Sequence, residues 1–555
     1  MIDTIRKKHI KFIVVTGGVC SSIGKGVLVA SIGVLLKKAG YSVAVVKWDP
    51  YLNVDPGTMS PLVHGEVFVT QDGAETDLDL GHYERLIGIN VGRNSSVSSG
   101  QIYQEVLTAE REGKFLGKCI QLVPHVVNAT KQRLLNFALD QEADFVLLEI
   151  GGTVGDIEGE VFLEAVRQLR IELGKPHLMH CHLSYVPLLS WTGEVKTKPT
   201  QHSVSELKKA GLVPDALFLR ADCDLDGHVV DKVSMMCGID KNFIFRVLTY
   251  DPLYRLFIEL DQQQVCKRIQ EYFGYTLQRT ADLSDWKAFI AAIDKSTAPL
   301  RIGLIAKYVG SNDPYISVID AIRSAGYAVG YKATVVVIEA EKLEQGGYDA
   351  DTPTWKELKR LDGIVMPGGF DNRGIEGKIF AARWAREHNI PYFGLCLGLQ
   401  VMLIEYARSV LQLKDANSTE FDDSIKYPVV NLTSQQQRVT HKGGTMRLGS
   451  FPCVIQKDTK AYQAYKQEMV WERHRHRYEL NNDYRQAFEQ AGVCFSGVYK
   501  DRDLIEIAEL NDHTFMLGVQ FHPEFQSSPL QIHPLFKAFM KAAIAGNRPS
   551  PIRGG

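Results

Sequence analysis

A strand that must turn at once into a helix leaves a chain few ways to fold. The stretch Pro391-Tyr392-Phe393-Gly394-Leu395-Cys396-Leu397-Gly398-Leu399-Gln400 imposes that turn. An apolar run ends in a cysteine set between glycines, and a helix-like run follows from Gln400 to Ala407. Such an elbow needs residues without a Cβ beside it, which Gly394 and Gly398 supply. The arrangement belongs to α/β architecture, with helices covering a largely parallel sheet. It also lifts the thiol out of the sheet, near the positive end of a helix, where the thiolate is favoured.

A nucleophilic thiolate needs a base. Near the end of the chain stands Val519-Gln520-Phe521-His522-Pro523-Glu524-Phe525. Residues two apart on an extended segment point the same way. His522 can therefore accept the thiol proton while Glu524 orients the imidazole, a Cys-His-Glu triad. Gly368-Gly369 offers backbone N–H groups for an oxyanion hole. The inert alternative is a core cysteine and an unrelated His-Pro turn. Glu472-Arg473-His474-Arg475-His476-Arg477-Tyr478-Glu479 alternates polar types, and as a strand would put its three arginines on one side, available for a substrate carboxylate.

The first half carries a different chemistry. Phe12-Ile13-Val14-Val15-Thr16 reads as a buried parallel strand. It runs into Gly17-Gly18-Val19-Cys20-Ser21-Ser22-Ile23-Gly24-Lys25-Gly26, then a helix to Lys38 and a second strand, Val43 to Lys47. Strand, glycine loop, helix and strand make a nucleotide-binding unit. The loop departs from the P-loop pattern. The spacing from Gly18 to Gly24 is one residue long, and Gly26 stands where Ser or Thr should bind magnesium. Backbone N–H groups and Lys25 can still cradle phosphates. A metal then needs oxygens from elsewhere. Asp77 and Asp79 are possible donors, and Glu149, at the end of the strand Phe145 to Ile150, is the best placed. Lys196-Thr197-Lys198-Pro199-Thr200-Gln201-His202 suits a triphosphate, or a solvated basic loop. Further strands are expected over Leu178–Pro187, Asp215–Arg220 and Phe243–Leu248.

Length and composition bound the rest. A chain of 555 residues is too long for one core. Residues 1–276 read as one α/β domain, 277–300 as a linker, 301–545 as a second α/β domain, and 546–555 as a disordered tail. The second domain opens with strands at Arg301–Tyr308, Val335–Ile338 and Gly363–Phe370. A net charge of −2 argues against nucleic-acid binding by bulk electrostatics. There is no apolar run long enough to span a membrane. The nine cysteines are dispersed with no CxxC pair, which fits a reducing cytoplasm.

Gly394-x-Cys396-x-Gly398-x-Gln400 with His522-Pro523-Glu524 resembles the class I glutamine amidotransferases. The first half resembles the amidoligase domain of the CTP synthase family. The matching stretches are Thr16 to Gly26, Asp49 to Ser60, His64 to Glu84, Glu149 to Glu158 and Gly193 to Ser203. Asn417-Ser418-Thr419-Glu420-Phe421 and the Arg-His-Arg-His-Arg run extend the match over nearly the whole chain. The resemblance implies two doubly wound α/β domains and ATP-dependent amination of UTP to CTP, with ammonia from glutamine. Carried over by motif, Ser22, Ile23, Gly24, Lys25, Gly26 and Val27 would hold ATP phosphates. Asp79 and Glu149 would hold Mg2+, with Asp79 also beside ATP. Ser21, Asp156, Ile157, Glu158, Lys196, Thr197, Lys198, Pro199, Thr200, Gln201 and Lys232 would bind UTP, or CTP as feedback inhibitor. Gly369, Leu397, Gly398, Leu399, Gln400, Glu420 and Arg477 would bind glutamine. The family also implies activation by GTP and a homotetramer. Two other readings remain open at this point: an amidoligase acting on a carboxylate substrate, and a nucleotide-regulated assembly protein without catalysis. The lysine loop speaks against the first, and the intact Lys25, Cys396, His522 and Glu524 against the second.

Overall fold

Apolar runs buried on both faces make parallel strands. The computed structural model, which describes residues 1–310, 313–432, 436 and 443–546, places such runs in β1 (Lys11–Gly17), β2 (Val43–Asp49), β4 (Phe145–Ile150), β5 (Leu178–Tyr185), β6 (Ala216–Ala221) and β7 (Ile244–Leu248). A short edge strand, β3 (Ser96–Ser98), joins them. They form one sheet in the order β7-β6-β5-β1-β4-β2-β3, with every pair parallel. All residues of β1 and β4 are buried. Helix α1 (Lys25–Lys38) follows β1, and its N-cap Gly24 sits at φ +96°. Helix α2 (Lys198–Lys209) starts with proline in its first turn. The loops leaving β1, β4 and β5, three adjacent strands, share the carboxyl end of the sheet, where ligands bind in open parallel sheets.

The chain divides into two units, Met1–Asp55 with Asp79–Ile290, and Pro56–Leu78 with the residues from Ala291 on. A linear reading counts Pro56–Leu78 with the first half, yet its contacts lie in the second unit. Within that unit Phe68 packs edge-on against Phe525, with ring centroids 5.1 Å apart. Beyond Gly546, the tail expected from the sequence lies outside the described residues.

The second unit is built on a nine-stranded sheet. Its strands are β8 (Ala298–Ala306), β9 (Tyr331–Glu339), β10 (Gly363–Met366), β11 (Tyr392–Leu395), β12 (Arg447–Ile455), β13 (Met469–His476), β14 (Val493–Tyr499), β15 (Leu504–Leu510) and β16 (Met516–Val519). The order is β9-β8-β10-β11-β16-β15-β14-β12-β13. The pairs from β9 to β16 are parallel, and those from β16 to β13 antiparallel. Side chains alternate between two cores: Ile364 and Met366 enter one, Val365 the other. Helices α3 (Ile375–Glu387) and α4 (Leu397–Ser409) flank this sheet. Of the antiparallel extension only β13 was legible, as the run from Glu472 to Glu479. The other strands are interrupted by polar residues or glycine, and helices intervene between β12 and β13 (Lys460–Tyr465) and between β13 and β14 (Arg485–Gln490). Among the described residues no helix is long and apolar enough to cross a membrane.

Candidate active sites

In the second unit β11 ends at Leu395 and α4 begins at Leu397, so Cys396 alone makes the turn. It does so at φ 52°, ψ −102°, a conformation that a non-glycine residue holds only when its surroundings fix it. The flanking glycines serve the packing rather than the dihedral angles. A Cβ on Gly394 would come within 2.6 Å of the Gly398 carbonyl carbon, and one on Gly398 within 2.3 Å of the Met366 oxygen. Cys396 is 5% exposed. Gln520 Nε2 lies 3.7 Å from its sulfur, and the Arg475 carbonyl 3.8 Å.

His522 and Glu524 come together, but not on an extended strand. β16 stops at Val519, and His522 precedes a 3-10 turn, Pro523–Gln526, that folds the carboxylate back onto the ring. His522 Nδ1 donates to Glu524 Oε1 at 2.7 Å. Its Nε2 has no hydrogen-bond partner among the described residues. A Cβ on Gly368 would sit 2.9 Å from His522 Cε1 and 3.7 Å from Cys396 Cβ, so imidazole and thiol stand together over that glycine. Burial works against a charged imidazole here. The Glu524 carboxylate and the Cys396 sulfur outweigh it and push His522 up to about 10. An imidazolium stable at neutral pH is the partner a thiolate needs.

The cavity before the thiol measures about 70 Å³ and is lined by Gly368, Gly369, Cys396, Arg475 and His522, with Pro61 and Val67 from the Pro56–Leu78 segment. Of the expected glutamine-binding residues, Gly369 lines it. Leu397, Gly398, Leu399 and Gln400 form the buried first turn of α4, and Gln400 Nε2 donates to the Tyr478 carbonyl at 2.9 Å. Glu420 accepts from the Asp371 N–H at 3.3 Å, and burial pushes its carboxyl up to about 7 against the pull of Lys307. Arg477 lies just past β13, its guanidinium bonded at 2.9 Å to Gln436 and to Thr445. The arginine that reaches the cavity wall is Arg475, ion-paired to Glu75 at 2.9 Å and bonded to the Gly57 carbonyl at 3.1 Å. Two buried lysines escaped the sequence reading. Lys307 donates to the Phe370 carbonyl at 2.7 Å and Lys378 to the Pro367 carbonyl at 3.2 Å, so they grip the Gly368-Gly369 segment from both ends.

In the first unit the glycine loop takes positive φ at Val19 (78°) and Ser22 (55°) as well as at Gly24. Turns of this kind aim successive N–H groups into one concavity. Lys25 donates to the Gly152 carbonyl at 2.8 Å. The departure at residue 26 has a steric cause: a Cβ there would lie 2.0 Å from Asp79 Oδ1. The aspartate occupies the space a P-loop hydroxyl would take. Asp79 pairs with Lys47 at 2.6 Å, and Lys47 with Asp49 at 3.1 Å. The Tyr83 hydroxyl donates to Glu149. Burial, then the charge of Asp79, pushes the Glu149 carboxyl up to about 8. Burial opposes the charge on Asp79 as well, but Lys47, His82 and Lys25 hold its carboxyl below the usual range. Among the described residues no group of three or more His, Cys, Asp or Glu is placed to hold a metal. The Asp79–Glu149 pair fits a hard cation that draws its other oxygens from phosphates and water. Lys47 was missed, although a lysine ending an apolar strand carries the same signal that singled out Glu149.

The expected nucleotide loops lie at the same end of this sheet. Ser21, Asp156, Ile157 and Glu158 are exposed, with Ile157 80% so. The Val154 N–H donates to the Gly17 carbonyl at 2.8 Å, tying the loop after β4 to the glycine loop. Thr197 and Thr200 are buried, and Thr200 accepts from the Ser184 hydroxyl at 3.0 Å. Gln201 Nε2 donates to Thr197 Oγ1 at 3.1 Å. Lys198 and Lys232 are exposed, and Lys196 pairs with Glu194, whose carboxyl it holds low with a smaller share from Lys232. A buried relay seats α2: Thr16 Oγ1 bonds His182 Nδ1 at 2.9 Å, and His182 Nε2 bonds Ser203 Oγ at 2.7 Å.

Two family models match the chain, one described as CTP synthase N-terminus over residues 11–275, and one as glutamine amidotransferase class-I over residues 312–542. The curated relatives include a "CTP synthase" of Coprothermobacter proteolyticus, 48% identical over 97% of this chain and 99% of that one. A "CTP synthase" of Bacillus subtilis is 47% identical over 96% of this chain and 98% of that one. One of Dehalococcoides mccartyi is 49% identical over 96% and 97%. With both halves matched in order and the two constellations in place, the chain belongs to the CTP synthase family.

Proposed function

We propose that this member of the family aminates UTP to CTP in an ATP-driven reaction, with Cys396 releasing the ammonia from glutamine and the Lys25–Asp79–Glu149 site activating UTP. The observation that carries the reading is Asp79 standing in the space opened by Gly26, beside Lys25 and Glu149. It supports reading the loop as a phosphate cradle whose metal ligands would come from two carboxylates. The uracil 4-oxygen is a poor leaving group. Phosphorylating it gives a 4-phosphorylated UTP from which ammonia displaces phosphate. Lys25 and the N–H groups of Ser22 to Val27 hold ATP phosphates and offset charge on the transferring group. Asp79 and Glu149 would hold Mg2+, which neutralises phosphate charge when bound.

Ser21, Asp156 to Glu158, Lys196 to Gln201 and Lys232 bind the triphosphate and base of UTP, and CTP competes there as inhibitor. In the other half the Cys396 thiolate attacks the glutamine amide. His522 passes a proton to the departing ammonia, then activates water against the thioester. Gly369, Leu397 to Gln400, Glu420 and Arg477 hold the glutamine. Activation by GTP, a homotetramer and a cytoplasmic location complete the reading.

The test incubates the full chain with ATP, UTP, magnesium and either glutamine or ammonium, and reads CTP by chromatography. CTP is expected from both nitrogen sources. Cys396→Ala should lose the glutamine-driven reaction and keep the ammonium-driven one. A folded protein that makes no CTP from either source, with or without GTP, overturns the reading.

A further inference from the structure

The second unit holds another cavity, of about 340 Å³, that neither half-reaction uses. Its walls come from the start of β13, from Gln526 in the turn after His522, and from Tyr465 and His533. Glu472 is 1% exposed. Its Oε1 accepts from the Tyr465 hydroxyl at 2.6 Å and from His533 Nε2 at 3.0 Å. Its Oε2 has no hydrogen-bond partner among the described residues, and the same holds for Gln526 Oε1. The Gln526 amide nitrogen faces away, donating to the Trp471 carbonyl at 3.0 Å. Two residues that line one cavity, Glu472 and Gln526, thus each carry a shielded acceptor oxygen with no donor among the described residues. Buried polar atoms in native proteins are normally paired.

The rest of the lining says what donor fits. Among the described residues no lysine or arginine lines the cavity, so it lacks the cationic side chains that usually hold a phosphate or a carboxylate. It does offer a carboxylate, a tryptophan and a tyrosine, the set that recognises organic cations. Trp471 is 53% exposed and Met469 54%, an apolar wall open to a ligand body. We infer that this cavity binds a small organic cation, an ammonium or guanidinium on an apolar body, whose nitrogen donates to Glu472 Oε2 and Gln526 Oε1. The same elements carry the triad. The Arg473 carbonyl accepts from the His522 N–H at 2.7 Å, the Arg475 carbonyl lies 3.8 Å from the Cys396 sulfur, and the Pro523–Gln526 turn holds Glu524. These shared elements are the route by which an occupant would act on glutamine hydrolysis, a step that rests on the glutaminase reading above.

The experiment titrates the full chain calorimetrically with benzylammonium, and with benzyl alcohol as the neutral isostere. Glutamate release is followed in parallel. Saturable binding of the cation alone is expected, weakened about tenfold or more in Glu472→Gln, because a charge-assisted hydrogen bond is lost. Met469→Lys, at an exposed position, places a tethered ammonium in the cavity and should block the probe even if Glu472→Gln fails to fold. Saturating probe should change glutamate release about fivefold, the low end of typical couplings. No saturable binding, equal binding of the alcohol, or binding that the folded variants leave intact overturns the site. Saturation without a change in glutamate release overturns the coupling. Absence of glutamate release before any probe is added counts against the glutaminase reading instead, since the binding measurement does not depend on turnover.

Discussion

At the scale of single residues, the two sites work by placing charge where burial would otherwise forbid it. Glu524 is the case in point. Its carboxylate keeps His522 protonated up to about 10, against the desolvation of the ring. The imidazolium is therefore present at and below neutral pH and is lost only as pH rises through that value. Glu524→Gln removes the charge and lowers the histidine's affinity for the proton. Inactivation of Cys396 by iodoacetamide at neutral pH should then be slower than in the wild type. Gly26 is the second case. Gly26→Ser drives its side chain into Asp79 Oδ1, which a Cβ alone would already approach to 2.0 Å. Displacing a catalytic group by about 1 Å costs about 10²-fold in rate. Ammonium-driven CTP formation should fall by that order, while thiol inactivation stays at the wild-type rate. The sequence announced that Gly26 breaks the P-loop pattern. It did not say that an aspartate fills the gap, because that depends on how a short helix about fifty residues on, Leu78–His82, packs against α1.

At the scale of elements, close approach decides what each turn tolerates. The glycine loop is seated on α2. A Cβ on Gly18 would meet Ser203 Oγ at 1.6 Å, and Ser203 is the end of the Thr16–His182–Ser203 relay. Gly18→Ala should therefore weaken ATP use with either nitrogen source, and Ser203→Gly in the same chain should restore part of it. Kinetics of the two single variants and the double variant measure the coupling, since contacting residues depart from additivity. The Cys396 elbow was legible because a nucleophile between glycines after an apolar run has few other uses. The extended geometry expected for His522 and Glu524 was not what forms. The proline after His522 starts a 3-10 turn, and the turn makes the same 2.7 Å contact by curvature instead of alternation.

At the scale of the whole molecule, the units do not follow chain order. Pro56–Leu78 supplies Glu75, the ion-pair partner of Arg475, and Phe68, fully buried in the second unit. A chain begun at Ala291 lacks both and leaves the Arg475 guanidinium without its carboxylate, a change that typically costs about 3–5 kcal/mol when the pair is buried. It should melt well below the second transition of the full chain and alkylate at Cys396 with altered rate. Adding back a peptide of residues 56–78 should raise its melting temperature. An unchanged melt in the truncated chain would show that the excursion contributes nothing to the unit.

Local structure was written in the sequence: most of the parallel strands, though not the short β3 and β16, the thiol elbow, the glycine loop and the acid near the end of β4. Each rests on neighbours within a few positions, where periodicity and turn stereochemistry act. Tertiary structure alone decided which distant groups meet. Lys47 and Tyr83 tune Asp79 and Glu149, Lys307 and Lys378 hold the glycine pair before Cys396, and Arg475 rather than Arg477 walls the thiol's cavity. The reason is physical. A buried charge needs a partner, and that partner is set by packing across the sheet, not by spacing along the chain.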